Sequence, residues 1–238
     1  MLLRHYTPKI LTALFGGLFV FAGFYTFGNA LLFDRIFIGV LIFTALICRK
    51  NVNVLGVVVI LVIQRLLEEA GWSISEANHE LLVKAVFYGL ALFVYYKTRF
   101  DELSKVFLTT ITIALLSEAY WYFSDKSAPE IYWYVFVATN AFLVRYLVFV
   151  RVGFTGDYFP QKAESINLDW HIFKLYGVAS FLQLIMIAEY IVRSVFGFIK
   201  ITYVYYTYPY VAQALATYAV WVIFNESYRL LLPRLLKA

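Results

Sequence analysis

Long apolar segments recur along almost the whole chain and are separated by short polar stretches. A helix needs about 20 apolar residues to cross a hydrocarbon layer roughly 30 Å thick. The pattern predicts about eight transmembrane helices, with crossings near residues 9–28, 32–48, 52–71, 82–98, 104–123, 130–151, 171–195 and 203–224. In the second segment, Asp34 and Arg35 leave only Ile36 to Cys48 wholly apolar, so its ends must lie at the membrane interfaces.

Composition supports the same fold class. Hydrophobic residues make up 63% of the 238 residues and charged residues 15%, against roughly 45–50% and about 25% in soluble domains. We therefore expect an all-α polytopic membrane protein, a helical bundle forming one transmembrane domain over residues 1–238. A single cysteine and three histidines leave little material for a metal or haem site, so neither a metal nor another cofactor is expected.

The basic residues predict the orientation. They concentrate in alternate connections, namely at Arg4, Lys9, Arg49, Lys50, Lys97, Arg99, Lys105, Arg151, Lys162, Lys174, Arg229, Arg234 and Lys237. Cytoplasmic loops are enriched in lysine and arginine, which predicts cytoplasmic termini in a bacterial inner membrane and a cytoplasmic loop over 152–170. Because these residues form no stripe, the net charge of +5 does not indicate nucleic acid.

One internal repeat is visible. Leu66, Leu67, Glu69, Ala70 and Trp72 recur 49 residues later as Leu115, Leu116, Glu118, Ala119 and Trp121. This spacing predicts helical hairpins duplicated in parallel, a pattern found in some transporters.

Three acidic residues fall at a similar depth. Counting 1.5 Å per residue, Glu69, Glu118 and Glu189 lie roughly 24 Å above the cytoplasmic ends of their helices. A ring of carboxylates in the outer third of the bilayer could bind a cation or a proton. Glu118 is the most informative member, because no basic residue lies near it on its own helix.

Local ion pairs are the alternative explanation for these carboxylates. Arg65 precedes Glu68 and Glu69 by three and four residues, and Glu189 precedes Arg193 by four. Both spacings place opposite charges on one helix face.

Other polar groups lie deeper or on the inner side. Arg145 is predicted near the inner headgroups, where it binds phosphate or pairs with Glu226; a role in gating is the alternative. Gln183 is a single polar group at mid-depth, and such groups commonly bond to a neighbouring helix.

Three functions remain open. No phosphate loop, dinucleotide fingerprint, HExxH zinc motif or GxSxG elbow occurs, so an enzyme is the least favoured. The first hypothesis is a transporter or channel for a cation or small polar solute, using the outer acidic pocket. The second is a non-catalytic membrane subunit that anchors or signals through a second copy or another membrane protein. The third is an intramembrane enzyme acting on lipid-linked substrate.

Overall fold

The computed structural model describes residues 2–75, 80–124, 131–198 and 200–235, and within these ranges the chain is all-helical. Its eight helices are α1 (Leu2–Tyr25), α2 (Ala30–Ile47), α3 (Val52–Ser75), α4 (Glu80–Thr98), α5 (Ser104–Ser124), α6 (Ile131–Tyr158), α7 (Asn167–Val195) and α8 (Tyr203–Leu235). Each predicted crossing coincides with one of them, which confirms the helical fold class.

Several helices run beyond the predicted crossings. α6 continues to Tyr158 and α7 begins at Asn167, so the predicted loop over 152–170 shrinks to a connection over 159–166. α8 likewise continues to Leu235. Hydropathy predicts only the apolar part of a helix that can lie in the hydrocarbon layer. Main-chain hydrogen bonds can continue the same helix into the polar sequence that follows.

Four of the described helical segments are long and apolar enough to cross a membrane, namely Leu81–Thr98, Ser104–Ser124, Ile131–Tyr158 and Asn167–Val195. Their outward faces are apolar too: Leu116 on α5 is 65% exposed. A helix at the surface of a soluble protein turns charged and polar residues outward. These helices instead present the surface expected for contact with lipid, as in a membrane protein.

The chain divides into two compact units. Unit 1 comprises Met1–Val62, Val150–Ile172 and Tyr210–Ala238, and unit 2 comprises Ile63–Phe149 and Phe173–Pro209. Several helices therefore contribute one segment to each unit.

The core of unit 2 is formed by α4, α5, α6 and α7. On α4 the buried residues Val83, Phe87, Ala91 and Val94 recur every three or four positions, which places them on one face of the helix. Aromatic rings stack between α5 and α6, where the centroids of Phe107 and Phe142 lie 4.3 Å apart. The shared core fixes the relative positions of these four helices and of the polar groups they carry.

In unit 1, α1 packs closely on α8. A Cβ atom at Gly16 would meet the indole of Trp221 at 2.9 Å, and one at Gly23 would meet the Thr217 hydroxyl at 2.5 Å. Gln213 of α8 also donates to the Gly23 carbonyl at 3.2 Å. Small residues on α1 therefore allow the two main chains to approach one another.

The segments of the 49-residue repeat have different surroundings. Trp121 is buried at 2% exposure, whereas the corresponding Trp72 is 53% exposed. Glu118 is partly buried and Glu69 is exposed. The hairpin duplication stays a prediction.

Candidate functional site

The three glutamates expected to form a pocket all lie in unit 2, in different surroundings. Glu69 is exposed on α3. Glu118 on α5 forms an ion pair with Lys84, and Glu189 on α7 binds main-chain N–H groups at the start of α8. None of these contacts joins two of the three carboxylates.

The Glu118 carboxylate is held by the neighbouring helix α4. Lys84 Nζ lies 2.8 Å from Glu118 Oε2, and the same ammonium group lies over the ring of Tyr132, 5.5 Å from its centroid. Both partners belong to apolar candidate spans. An ion pair lowers the cost of placing each of its two charged groups in an apolar layer. The contact therefore explains how α4 carries Lys84 and α5 carries Glu118.

Glu189 caps a helix. Its two carboxylate oxygens accept hydrogen bonds from the N–H groups of Val204 at 2.7 Å and Tyr205 at 2.8 Å, in the first turn of α8. These donors have no partner within their own helix, and the positive end of the helix dipole favours a carboxylate there. The Arg193 guanidinium, its expected partner, lies over the ring of Tyr205 at 5.6 Å.

Arg145 also has a partner other than the expected one. Its Nε lies 2.5 Å from Asp101 Oδ2, in the α4–α5 turn, and its Nη1 donates to the Phe173 carbonyl at 3.0 Å. Glu226 instead pairs with Arg229, three residues along the same helix, at 3.0 Å. Arg145 thus pairs with Asp101 and Glu226 with Arg229, and a pair between Arg145 and Glu226 stays a prediction.

Arg65 pairs with Glu68, which belongs to a polar cluster in unit 2. Arg65 Nη1 lies 2.8 Å from Glu68 Oε2, and Gln64 Nε2 donates to Glu68 Oε1 at 2.6 Å.

Gln64 has further partners on two other helices. The Tyr176 hydroxyl donates to Gln64 Oε1 at 3.0 Å. Asn140 Nδ2 donates to the Gln64 carbonyl at 3.1 Å. We call this set, with Gln183 and Tyr208, the amide cluster.

Gln183 lies on α7, as Tyr176 does, and Tyr208 adds α8 to the amide cluster. Gln183 Nε2 donates to the Tyr208 hydroxyl. The Glu68 carboxylate is near enough to act electrostatically on the hydroxyls of both Tyr176 and Tyr208.

Two acceptors of the amide cluster are unsatisfied. Asn140 is 3% exposed and Gln183 is 6% exposed. Asn140 Oδ1 and Gln183 Oε1 have no hydrogen-bond partner among the described residues. Burying an amide oxygen without a partner is costly, and a buried unsatisfied group therefore calls for an explanation.

The three amide residues of the cluster lie well inside their helices. At 1.5 Å per residue, Gln64 lies about 18 Å from the start of α3, Asn140 about 14 Å from the start of α6, and Gln183 about 24 Å from the start of α7. Polar residues at such positions in apolar helices are expensive and often functional. The amide cluster is therefore the candidate functional site.

No protein-family model, curated protein or solved structure matches this chain.

A second buried polar network, in unit 1, is fully bonded. Arg151, 3% exposed, donates to Asp169 Oδ1 at 2.6 Å and Oδ2 at 2.5 Å. It also donates to Asn53 Oδ1 at 3.1 Å and to the Glu164 carbonyl at 2.9 Å. Because Asn53 in turn donates to the Lys162 carbonyl at 2.9 Å, the network ties the start of α3 to the α6–α7 connection. It serves as a structural comparison for the amide cluster.

The sequence alone indicates some members of the amide cluster. Gln183 stands out as a single polar residue at mid-depth, and Arg65 precedes Glu68 by three residues. The partners on other helices were not recoverable, because hydropathy does not specify which faces of α3, α6 and α7 meet. Among the described residues, no group of three histidine, cysteine, aspartate or glutamate side chains could hold a metal ion.

Proposed function

We propose that this chain is a protein of the bacterial inner membrane with eight crossings and both termini in the cytoplasm. Four long apolar helices with apolar outward faces support insertion into a membrane. The bias of lysine and arginine toward alternate connections supports the orientation.

We further propose that the protein is a transporter or channel for a small polar solute or a cation. The observation that carries this proposal is Asn140 Oδ1, a buried acceptor without a partner among the described residues, at mid-helix in α6. The buried pair of Arg151 and Asp169, in contrast, is fully hydrogen-bonded. An unsatisfied group beside a chain of hydrogen bonds offers a binding position to a solute.

The proposed binding site differs from the acidic pocket expected from the sequence. Glu118 pairs with Lys84 through Oε2, Glu189 caps α8, and Glu69 lies at an exposed position. The carboxylate that belongs to the amide cluster is Glu68. We therefore assign solute binding to the amide cluster and give Glu118 and Glu189 structural roles.

Solute flux into proteoliposomes tests the proposal. The purified protein is reconstituted, and uptake of glycerol, urea, Na⁺ and K⁺ is compared with that of protein-free vesicles. We expect flux of at least one of these probes, reduced by Asn140→Leu, which removes the amide at similar volume. Thr139→Val is the matched control, because its buried hydroxyl bonds within its own helix to the Val135 carbonyl at 2.7 Å. Flux indistinguishable from protein-free vesicles for all four probes would reject transport.

A second candidate is a non-catalytic membrane subunit that works with a partner protein. The fully bonded Arg151 network and the capping role of Glu189 favour it, because they show buried charges used for architecture alone. A defined oligomer in detergent, together with flux that is absent, would favour this candidate. A monomer with Asn140-dependent flux would reject it.

A further inference from the structure

Two of the atoms that the amide cluster leaves open are acceptors of hydrogen bonds. Asn140 and Gln183 each use the N–H side of the amide for a protein partner. Each keeps a buried carbonyl oxygen that has no partner among the described residues. A solute that satisfies these oxygens must bring N–H or O–H groups, or a positive charge.

The net charge of the amide cluster decides whether a neutral donor or a cation fits the two oxygens better. The one carboxylate of the amide cluster, Glu68, pairs with Arg65 at 2.8 Å, so the two formal charges cancel. A cation entering this site would bring a net positive charge into an apolar surrounding, which is unfavourable without a counter-charge. A neutral donor satisfies the same oxygens without that cost.

The Tyr208 hydroxyl adds a donor. Its oxygen accepts a hydrogen bond from Gln183 Nε2, so its own proton remains to be donated. A solute oxygen could accept that proton. Alcohols and amides such as glycerol and urea carry both donors and acceptors, whereas a metal cation carries neither a proton to donate nor a lone pair to accept with.

We infer that the amide cluster selects a small neutral solute with hydroxyl or amide N–H groups over cations, binding it through Asn140 Oδ1, Gln183 Oε1 and the Tyr208 hydroxyl. This inference rests on the proposed transport function. It changes the expected ligand from a cation in an acidic pocket to a neutral hydrogen-bonding solute.

The test compares four probes in one vesicle preparation. Stopped-flow light scattering measures glycerol and urea permeability, and enclosed ion-sensitive dyes measure Na⁺ and K⁺ entry. The variants are Asn140→Leu, Gln183→Leu, Tyr208→Phe and the control Thr139→Val. Size-exclusion elution and the helical circular-dichroism signal establish for each variant that the protein is folded. Two amide variants are used so that a folding failure of one leaves the other informative.

We expect glycerol or urea permeability above that of protein-free vesicles, at least fivefold lower in both amide variants, and lower in Tyr208→Phe. The control should match the wild type, and Na⁺ and K⁺ entry should stay at the protein-free level. Entry of Na⁺ or K⁺ that Asn140→Leu abolishes would overturn this inference while leaving the transport proposal standing. Absence of flux for all four probes would overturn both.

Discussion

Asn140 on α6 donates its side-chain N–H to the main-chain carbonyl of Gln64 on α3 at 3.1 Å. A helical carbonyl has a second lone pair, so it can accept this bond in addition to its own helical one. The contact fixes the orientation of the Asn140 amide and therefore the position of its unsatisfied oxygen. Preorganised acceptors bind a solute more tightly than mobile ones, because less side-chain freedom is lost on binding.

Loss of the Arg151 network should be the most destabilising of the changes considered. Arg151→Met leaves Asp169 buried without its partner, and breaking a buried ion pair in this way costs about 3–5 kcal/mol. We expect a clear fall in the midpoint of thermal unfolding in detergent. Arg99→Met is the control, because Arg99 is exposed and surface changes stay within about 0.5 kcal/mol. Equal midpoints for the two variants would contradict the account.

The cap on α8 predicts a local effect. Glu189→Gln replaces one of the two acceptor oxygens by an NH₂ group, so either Val204 or Tyr205 loses its partner. Losing one hydrogen bond at a partly buried N–H costs about 0.5–1.5 kcal/mol. Hydrogen–deuterium exchange should become faster in the first turn of α8, and the unfolding midpoint should fall. Glu69→Gln, at an exposed position of α3, should leave both unchanged. Unaltered exchange in Glu189→Gln would argue against the cap.

The sequence predicted the contacts at the start of α8 only in part. The helices α7 and α8 follow from their apolar length, but the spacing of Glu189 and Arg193 pointed to a pair along one helix. In the fold, the main-chain donors at the start of α8 occupy the carboxylate. The same limit applies to Glu118, whose partner Lys84 lies on another helix. The spacing of residues along the chain predicts partners on the same helix, such as Arg65 and Glu68. It does not predict which residues of two different helices meet.

Gly177 provides room for Arg145. A Cβ atom at Gly177 would collide with Arg145 Nη1, and the guanidinium is held in place by Asp101 and the Phe173 carbonyl. We expect Gly177→Ala to lower the stability by about 1–3 kcal/mol, the usual cost of overpacking. Gly89→Ala is the matched control, because nothing lies within 4 Å of the position its Cβ would take. Alanine there should be neutral or stabilise the helix by up to about 1 kcal/mol.

Those two glycine variants are compared by their unfolding midpoints in the same detergent. A loss of stability in Gly177→Ala and none in Gly89→Ala would support the close approach of α7 to Arg145. Equal behaviour of the two would contradict it.

The central claim is that the amide cluster is a solute site reached from water and not a sealed part of the core. The chain has a single native cysteine, Cys48, which is buried, so Cys48→Ala gives a cysteine-free background. The measurement is the labelling rate of Asn140→Cys by a small, uncharged, hydrophilic thiol reagent in proteoliposomes. Ala138→Cys, at a fully buried core position of the same helix, serves as the control. The account predicts steady labelling of Asn140→Cys and none of Ala138→Cys; equal protection of both cysteines would contradict it.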